Sequence, residues 1–204
     1  MRAKRSARER ILDAAEEVVL ARGASHMTLD AVAAHAGVSK GGLIYHFASL
    51  QELLQGMLAR FMARAETHRR RVFERLPAQP GRAFKAHLQA WLTLGEAERR
   101  SAAALLASCT RDPELIEKVR RRRREVWAEI LADWTAPERA VLLALVVEGM
   151  WLSELLGVSV LAPSLRRRLR AELLRLTDEW CAAHTAPCTG GGRRCGGRAP
   201  VRRR

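Results

Sequence analysis

Apolar residues recur along this chain with the period of an α-helix. Ile11, Ala14, Ala15 and Val18 stand at i, i+3, i+4 and i+7, one buried stripe on a first helix that ends before Gly23. Leu29, Val32, Ala33 and Ala36 mark a second, short helix, with Thr28 as its N-cap and Asp30 in the first turn, where the helix dipole favours an acid. Gly37 supplies a turn, and Ser39 caps a third helix in which Leu43 and Phe47, four apart, share a face. Ser49 and Glu52 form a capping box that starts a fourth helix. Only Gly56 interrupts it before Leu76, so it predicts a rod of about 40 Å, closed by Pro77, Pro80 and Gly81.

Helical patterning continues near 82–97, 99–110, 113–134, 137–156 and 164–184. The starts are signalled by Asp112-Pro113-Glu114, by a Thr135–Glu138 capping box with proline in its first turn, and by Ser164 after Pro163. Strand signals are nearly absent, with one Tyr, four Phe and no alternating β-branched run. The pattern predicts an all-α fold of about nine helices: an N-terminal three-helix helix-turn-helix domain, a long connecting helix and a C-terminal helical body. The expected divisions are 1–48, 49–76 and 77–185, followed by a disordered basic tail over 186–204.

Composition narrows the classes of function. At 48% hydrophobic residues the chain is globular, and its formal net charge of +14 points to a polyanion. Much of that charge lies at the ends: Arg2, Lys4, Arg5, Arg8 and Arg10 against Glu9 alone, and six arginines from Arg193 to Arg204 with no acid. Cys109, Cys181, Cys188 and Cys195 form no C-x-x-C pair and no histidine pair completes a metal set, so reduced thiols and no metal or cofactor are expected. The apolar run from Ala140 to Ala162 could mimic a membrane span. Glu148 and Glu154 interrupt it, at about 2.5–3.5 kcal/mol for each acid at a bilayer centre, and it is read as a buried helix. The basic opening is followed by no uninterrupted apolar stretch, so no secretory signal is read and a cytoplasmic location is expected. His26, His35, His46, His68, His87 and His184 are scattered, no glycine loop or H-E-x-x-H is present, and no enzyme is expected.

The segment TLDAVAAHAGVSKGGLIYHFASLQELL carries the chemistry. Ala33 and Ala34 are small where the second helix must lie close to the third, and Val38, Leu43 and Phe47 point into a three-helix core. Ser39, Lys40, Gly41, Gly42, Ile44, Tyr45 and His46 are left to face outward. Two glycines in so short a helix cost about 1 kcal/mol each, which calls for a steric reason such as close approach to DNA.

This stretch resembles the DNA-binding domain of the TetR/AcrR family of bacterial regulators, through AGVSKGG and the LIYHF run at Leu43–Phe47, over about residues 8–58. The body resembles the family in helix count, topology and the Glu148–Gly157 run. The resemblance implies a phosphate contact for Thr28 and base-edge contacts around Lys40, Gly41 and Gly42. It implies backbone contacts for Tyr45 and His46, and phosphate near Ser49 at the start of the fourth helix. Leu50 departs from the lysine usual in the family, and the basic N-terminal arm is expected to compensate in the minor groove.

The resemblance also implies a homodimer on a palindromic DNA operator, released by a small apolar or amphipathic effector. Helices 137–156 and 164–184 are the expected four-helix dimer surface, with Leu142, Leu145, Val146, Leu155, Leu173, Leu176 and Trp180 as candidates. Phe61, Trp91, Leu105, Cys109, Trp127, Glu148, Met150 and Trp151 are candidates for the effector pocket, and the same residues would serve as ordinary core. Glu148 could meet a cationic ligand, pair with an arginine across the dimer or reach solvent. Arg120–Arg124 reads as a solvated face with Glu114, Glu117, Glu125 and Glu129 as neighbours. The expected function is ligand-responsive repression. The alternatives are an activator or ligand-independent regulator of the same fold, and a basic, non-specific nucleoid or membrane-surface protein.

Overall fold

A computed structural model describes residues 6–23, 26–109, 112–132, 134 and 136–182, with the side chains at 96, 100, 104, 106–109 and 182 outside it. The described residues form nine helices and no strand: α1 (Ala7–Arg22), α2 (Leu29–Ala36), α3 (Lys40–His46), α4 (Leu50–Arg75), α5 (Arg82–Leu92), α6 (Glu96–Cys109), α7 (Pro113–Ala132), α8 (Pro137–Leu155) and α9 (Pro163–Ala182).

Capping chemistry sets the starts. The hydroxyl oxygens of Ser6, Thr28, Ser39 and Ser49 accept from the amides of Glu9, Ala31, Gly42 and Glu52 at 3.0–3.2 Å. Glu52 reaches back to accept from the amide of Ala48 at 2.9 Å, so its box closes one residue early. Asp112 accepts from the amide of Glu114 at 2.9 Å and starts α7. Two boundaries differ from expectation, the end of α5 and the start of α6, which begins at Glu96 and not at 99. Helix α5 stops at Leu92, where the Thr93 hydroxyl donates to the Gln89 carbonyl ahead of Gly95. Helix α8 starts at Pro137 from Ala136 without a side-chain cap, and Thr135 of the expected box lies outside the described residues, as do residues 1–5 and the 186–204 tail.

Two apolar cores fill the molecule. The first joins Ile11 and Leu12 of α1, Val32 of α2, Leu43 and Phe47 around α3, and Leu53 and Met57 of α4. It does not end with the head, because Leu105 of α6 and Leu115 of α7 belong to it. The second gathers Phe84 and Leu88 of α5, Ile130 and Trp134, Leu143 and Val147 of α8, and Leu173 of α9.

Helix α4 binds head to body. Arg60, with a side chain 9% exposed, donates to Asp13 at 2.8 Å, Glu16 at 3.2 Å and Glu9 at 3.3 Å, all on α1. Arg64 adds a bond to Glu16 at 3.0 Å. Beyond α1, Gln51 donates to Asp112 and Gln55 to Glu114, so α4 is also tied to the start of α7.

No described helix is long and apolar enough to cross a membrane. Helix α8, read as buried, has one face in the core and one face open: Leu142, Leu145, Val146, Leu152 and Leu156 are 42–59% exposed. Of the interface candidates, Leu173 is 4% exposed and packs within the chain's own second core, while Leu155, Leu176 and Trp180 are partly buried.

Gly56 is required by packing. A Cβ there would lie 2.7 Å from Phe47 Cε1 and 3.3 Å from Leu12 Cδ2, inside the first core. Gly56→Ala gains about 1 kcal/mol of helix propensity. The clash with a locked ring costs more, and a net loss of about 1–2 kcal/mol is expected in urea unfolding.

Candidate functional site

The α2–α3 unit is built around its turn. Gly37 adopts the left-handed conformation at φ 63° and ψ 38°, which only glycine takes without penalty, and the Val38 amide bonds back to the Ala33 carbonyl at 3.1 Å. Ala33 is buried against the neighbouring helices. Ala34, expected there too, is exposed.

With Leu43 and Phe47 fully inside, the opposite face of α3 is open. Ser39, Lys40, Gly41, Gly42, Ile44 and Tyr45 are exposed, and His46 is partly so. Tyr45 is 86% exposed, and its ring meets the edge of His46 at 5.1 Å. Lys40 Nζ pairs with Asp30 at 3.0 Å, which links the start of α3 to the first turn of α2 beside Thr28. An exposed pair of this kind is worth about 0–1 kcal/mol, so the lysine is free to exchange partners.

The capping hydroxyls of Thr28, Ser39 and Ser49 spend an oxygen lone pair on the helix and retain an O–H to donate. A Cβ at Gly41 would meet nothing within 4 Å, and one at Gly42 would meet only Ser39 Oγ at 3.2 Å and Val38 Cβ at 3.9 Å. Nothing among the described residues therefore demands glycine at 41. Arg8 lies with its guanidinium 4.9 Å from the centre of the Phe47 ring, at the end of α3. Leu50 packs against the first core, which gives that residue a structural use.

The second feature is a partly open cavity of about 340 Å³ lined by α4, α5, α6, α7 and α8. Of the candidates, Phe61, Trp91, Leu105, Trp127, Glu148 and Trp151 line it. Met150 does not, because it packs beside Leu143 and Val147 in the second core, and the side chain of Cys109 lies outside the described residues. Glu148 pairs within the chain, with Arg123 of α7 at 2.8 Å, in place of a partner subunit's arginine or bare solvent. The arginine run splits accordingly. Arg120, Arg121 and Arg124 face out, whereas Arg122 and Arg123 line the cavity.

Sequence reading missed Met62, Glu66, Arg69 and His87 on this wall. Glu66, Arg69 and Arg70 have the i, i+3, i+4 spacing of a helical ion pair, the one signal available. Glu66 accepts from Arg69 Nε at 2.9 Å and Arg70 Nε at 2.7 Å and pairs with Arg122. Burial raises its carboxyl, but the bonds from Arg69 and Arg70 and the nearby guanidinium charges outweigh that and hold it at about 2. His87 accepts the Trp91 indole N–H on Nε2 at 3.1 Å. Burial first, then the charges of Arg69 and Arg123, push its basicity down to about 4.

Both shifts couple to stability. Between 6.5 and about 4 the unfolded chain binds a proton at His87 that the folded chain refuses, so stability falls as pH falls through that window. Glu66 stabilises the fold above its ordinary 4.5, and that contribution is lost as pH falls towards about 2. In thermal melts, His87→Gln should flatten the profile between 6.5 and 4. The deficit of Glu66→Gln at neutral pH should close as pH approaches 2.

Comparison with known proteins gives this geometry a family. Residues 11–57 match the model for bacterial regulatory proteins of the tetR family, and residues 81–178 match the tetracyclin repressor-like C-terminal domain. The HTH-type transcriptional regulator SrpR of Pseudomonas putida is 50% identical over 52 residues, covering 26% of this chain and 24% of SrpR. The HTH-type transcriptional repressor BepR of Brucella suis biovar 1 is 42% identical over 53 residues, covering 26% of this chain and 25% of BepR. Each of these matches thus spans about a quarter of the relative's length. The crystal structure of the multidrug binding protein EbrR complexed with ethidium superposes with a TM-score of 0.63 at 28% identity, covering 84% of this chain and 98% of EbrR. The chain belongs to the TetR family of helix-turn-helix transcriptional regulators.

Proposed function

We propose that this protein is a homodimeric repressor that binds a palindromic operator through α3 and leaves it when a small amphipathic effector fills the body cavity. The observation that carries the operator reading is Gly41, a helical glycine on an open face with no neighbour among the described residues to require it. A partner backbone or base edge outside the chain supplies the missing reason. Lys40 would leave Asp30 for a guanine edge, and Thr28, Ser39, Tyr45, His46 and Ser49 would donate to phosphates, with Gly42 and Ile44 against the groove.

A single head reads few base pairs, and two heads about 34–36 Å apart match successive major grooves. The open apolar face of α8, with Leu142, Leu145 and Val146, supports pairing of two copies, with the partly buried Leu155, Leu176 and Trp180 as further candidates. The proposed divisions are a head (1–48), a connecting helix (49–76) and a body (77–185). The effector reading draws support from EbrR, a multidrug binding protein solved with ethidium and with malachite green.

The transmission follows from α4. Arg60 grips α1 while Phe61, the next residue, lines the cavity; Arg64 and Ala65 repeat the arrangement one turn on. Leu105 likewise belongs both to the cavity wall and to the first core. A ligand that displaces Phe61 and Leu105 shifts α1 and the head with them. A coupling of about 1–3 kcal/mol is enough for regulation.

Gly41→Ala separates the two roles of α3. It should stabilise the fold by about 0.5–1 kcal/mol through helix propensity. Operator affinity, measured on a duplex selected from random sequence, should drop at least about tenfold, the equivalent of 1.4 kcal/mol. Full affinity in the variant would refute the close-approach reading. The arm gives a second test. Ser6 caps α1 and Arg8 stacks on Phe47, so the segment to remove is 1–5. Its deletion should lower the slope of log affinity against log salt by about one for each phosphate the arm neutralises.

A further inference from the structure

We propose that the cavity selects an aromatic or amphipathic anion, one bearing a carboxylate, sulfonate or phenolate, and discriminates against cations. This rests on the cavity being the effector site, and it names the chemistry of what enters.

The acids on the wall are spent. Glu66 is bound by Arg69, Arg70 and Arg122, and Glu148 is held by Arg123. A cationic ligand would have to displace a guanidinium from either carboxylate. The cavity wall itself carries more arginines than acids. Three arginines line the cavity, Arg69, Arg122 and Arg123, against the two acids. Arg69 and Arg122 each have a second carboxylate behind them, Glu129 and Glu125. Arg123 pairs with Glu148 and is 52% exposed.

Two further groups offer protons. Trp151 Nε1 is buried without an acceptor among the described residues, a state that ordinarily costs about 1–3 kcal/mol. The neutral His87 ring accepts on Nε2 from Trp91, which leaves its own proton on Nδ1. Burial first, and then the charges of Arg69 and Arg123, keep the His87 ring neutral. Aromatic walls complete the site: Trp91 and Trp151 meet with centroids 4.7 Å apart and planes inclined by 52°, and Phe61 and Trp127 also line the space. A ligand with fused rings and one oxyanion would fill the apolar part and share Arg123 with Glu148.

The test uses the full chain and three probes read by quenching of its tryptophans. Anilinonaphthalene sulfonate and its uncharged parent phenylnaphthylamine share their rings and differ by one sulfonate; ethidium supplies a cation. The sulfonate should bind about tenfold more tightly than its parent and compete with it at one site per chain, the scale of a charge-assisted bond. Arg123→Gln should erase that difference while leaving the parent's affinity unchanged, which also certifies the fold. Glu148→Gln, by releasing Arg123, should tighten the sulfonate and not the parent.

Equal affinity for sulfonate and parent, or ethidium binding more tightly than the sulfonate, would overturn the proposal. So would an Arg123→Gln variant that keeps the preference. If none of the three probes binds, the cavity reading falls with it. A sulfonate that binds with the stated preference but leaves an operator complex intact supports the anion site and overturns only the effector role.

Discussion

Helix α4 must serve the first core, the acids of α1 and the cavity wall at once, and the rest of the molecule is arranged around that constraint. Its first turns bury Leu53 and Met57 under the head. Its middle presents Arg60 and Arg64 to the acids of α1 and, one position on, Phe61 and Ala65 to the cavity. Its later turns place Glu66 and Arg69 against α7. A helix fixed at so many points moves as a body. Buried charge pairs are poor sources of net stability but costly to break singly, which makes the Arg60 cluster a coupling element more than a stabilising one.

How much of this was legible in the sequence depends on the range of the interaction. The head was nearly fully legible, because caps, turn glycine and helical spacing are written within three or four residues of one another. Ser39, Gly37, Leu43 and Phe47 each fall where the spacing places them. The end of α5 was missed because the Thr93 side-chain bond and Gly95 stop a helix whose apolar period runs on. In the body the limit is different. Leu142 and Leu173 look alike as residues, yet one is 58% exposed and the other 4%. Periodicity states that a stripe exists; it does not state which element covers it. The Glu66–Arg122 pairing spans 56 residues, and no local rule reaches that far.

The glycines show why residue type alone does not report function. Gly56 and Gly41 both sit inside helices and both carry the same propensity cost. Gly56 is explained by the chain itself, since Phe47 occupies the space a methyl group would need. Gly41 has open space around it among the described residues, and the proposed explanation lies outside the chain. Only coordinates separate an internal steric demand from an external one, and that separation turns a composition argument into one about an interface.

Charge poses the remaining question of mechanism. The operator is a polyanion, and a chain with a net charge of +14 attracts it strongly. If the effector is also an anion, the same basic surface favours both ligands, and direct neutralisation of the DNA-facing charges offers itself as a route to release. The geometry argues otherwise. No residue of α2 or α3 lines the cavity, and the first core lies between them. Screening confines exposed charges to a reach of about 8 Å at physiological salt. Within the cavity, moreover, an incoming oxyanion competes with Glu148 for Arg123 and does not touch Lys40. What joins the two sites is the packed path through Phe61 and Arg60 into α1, and through Leu105 into the first core. Antagonism between two anions on one basic protein is then a consequence of helix position, with charge setting what each site will accept.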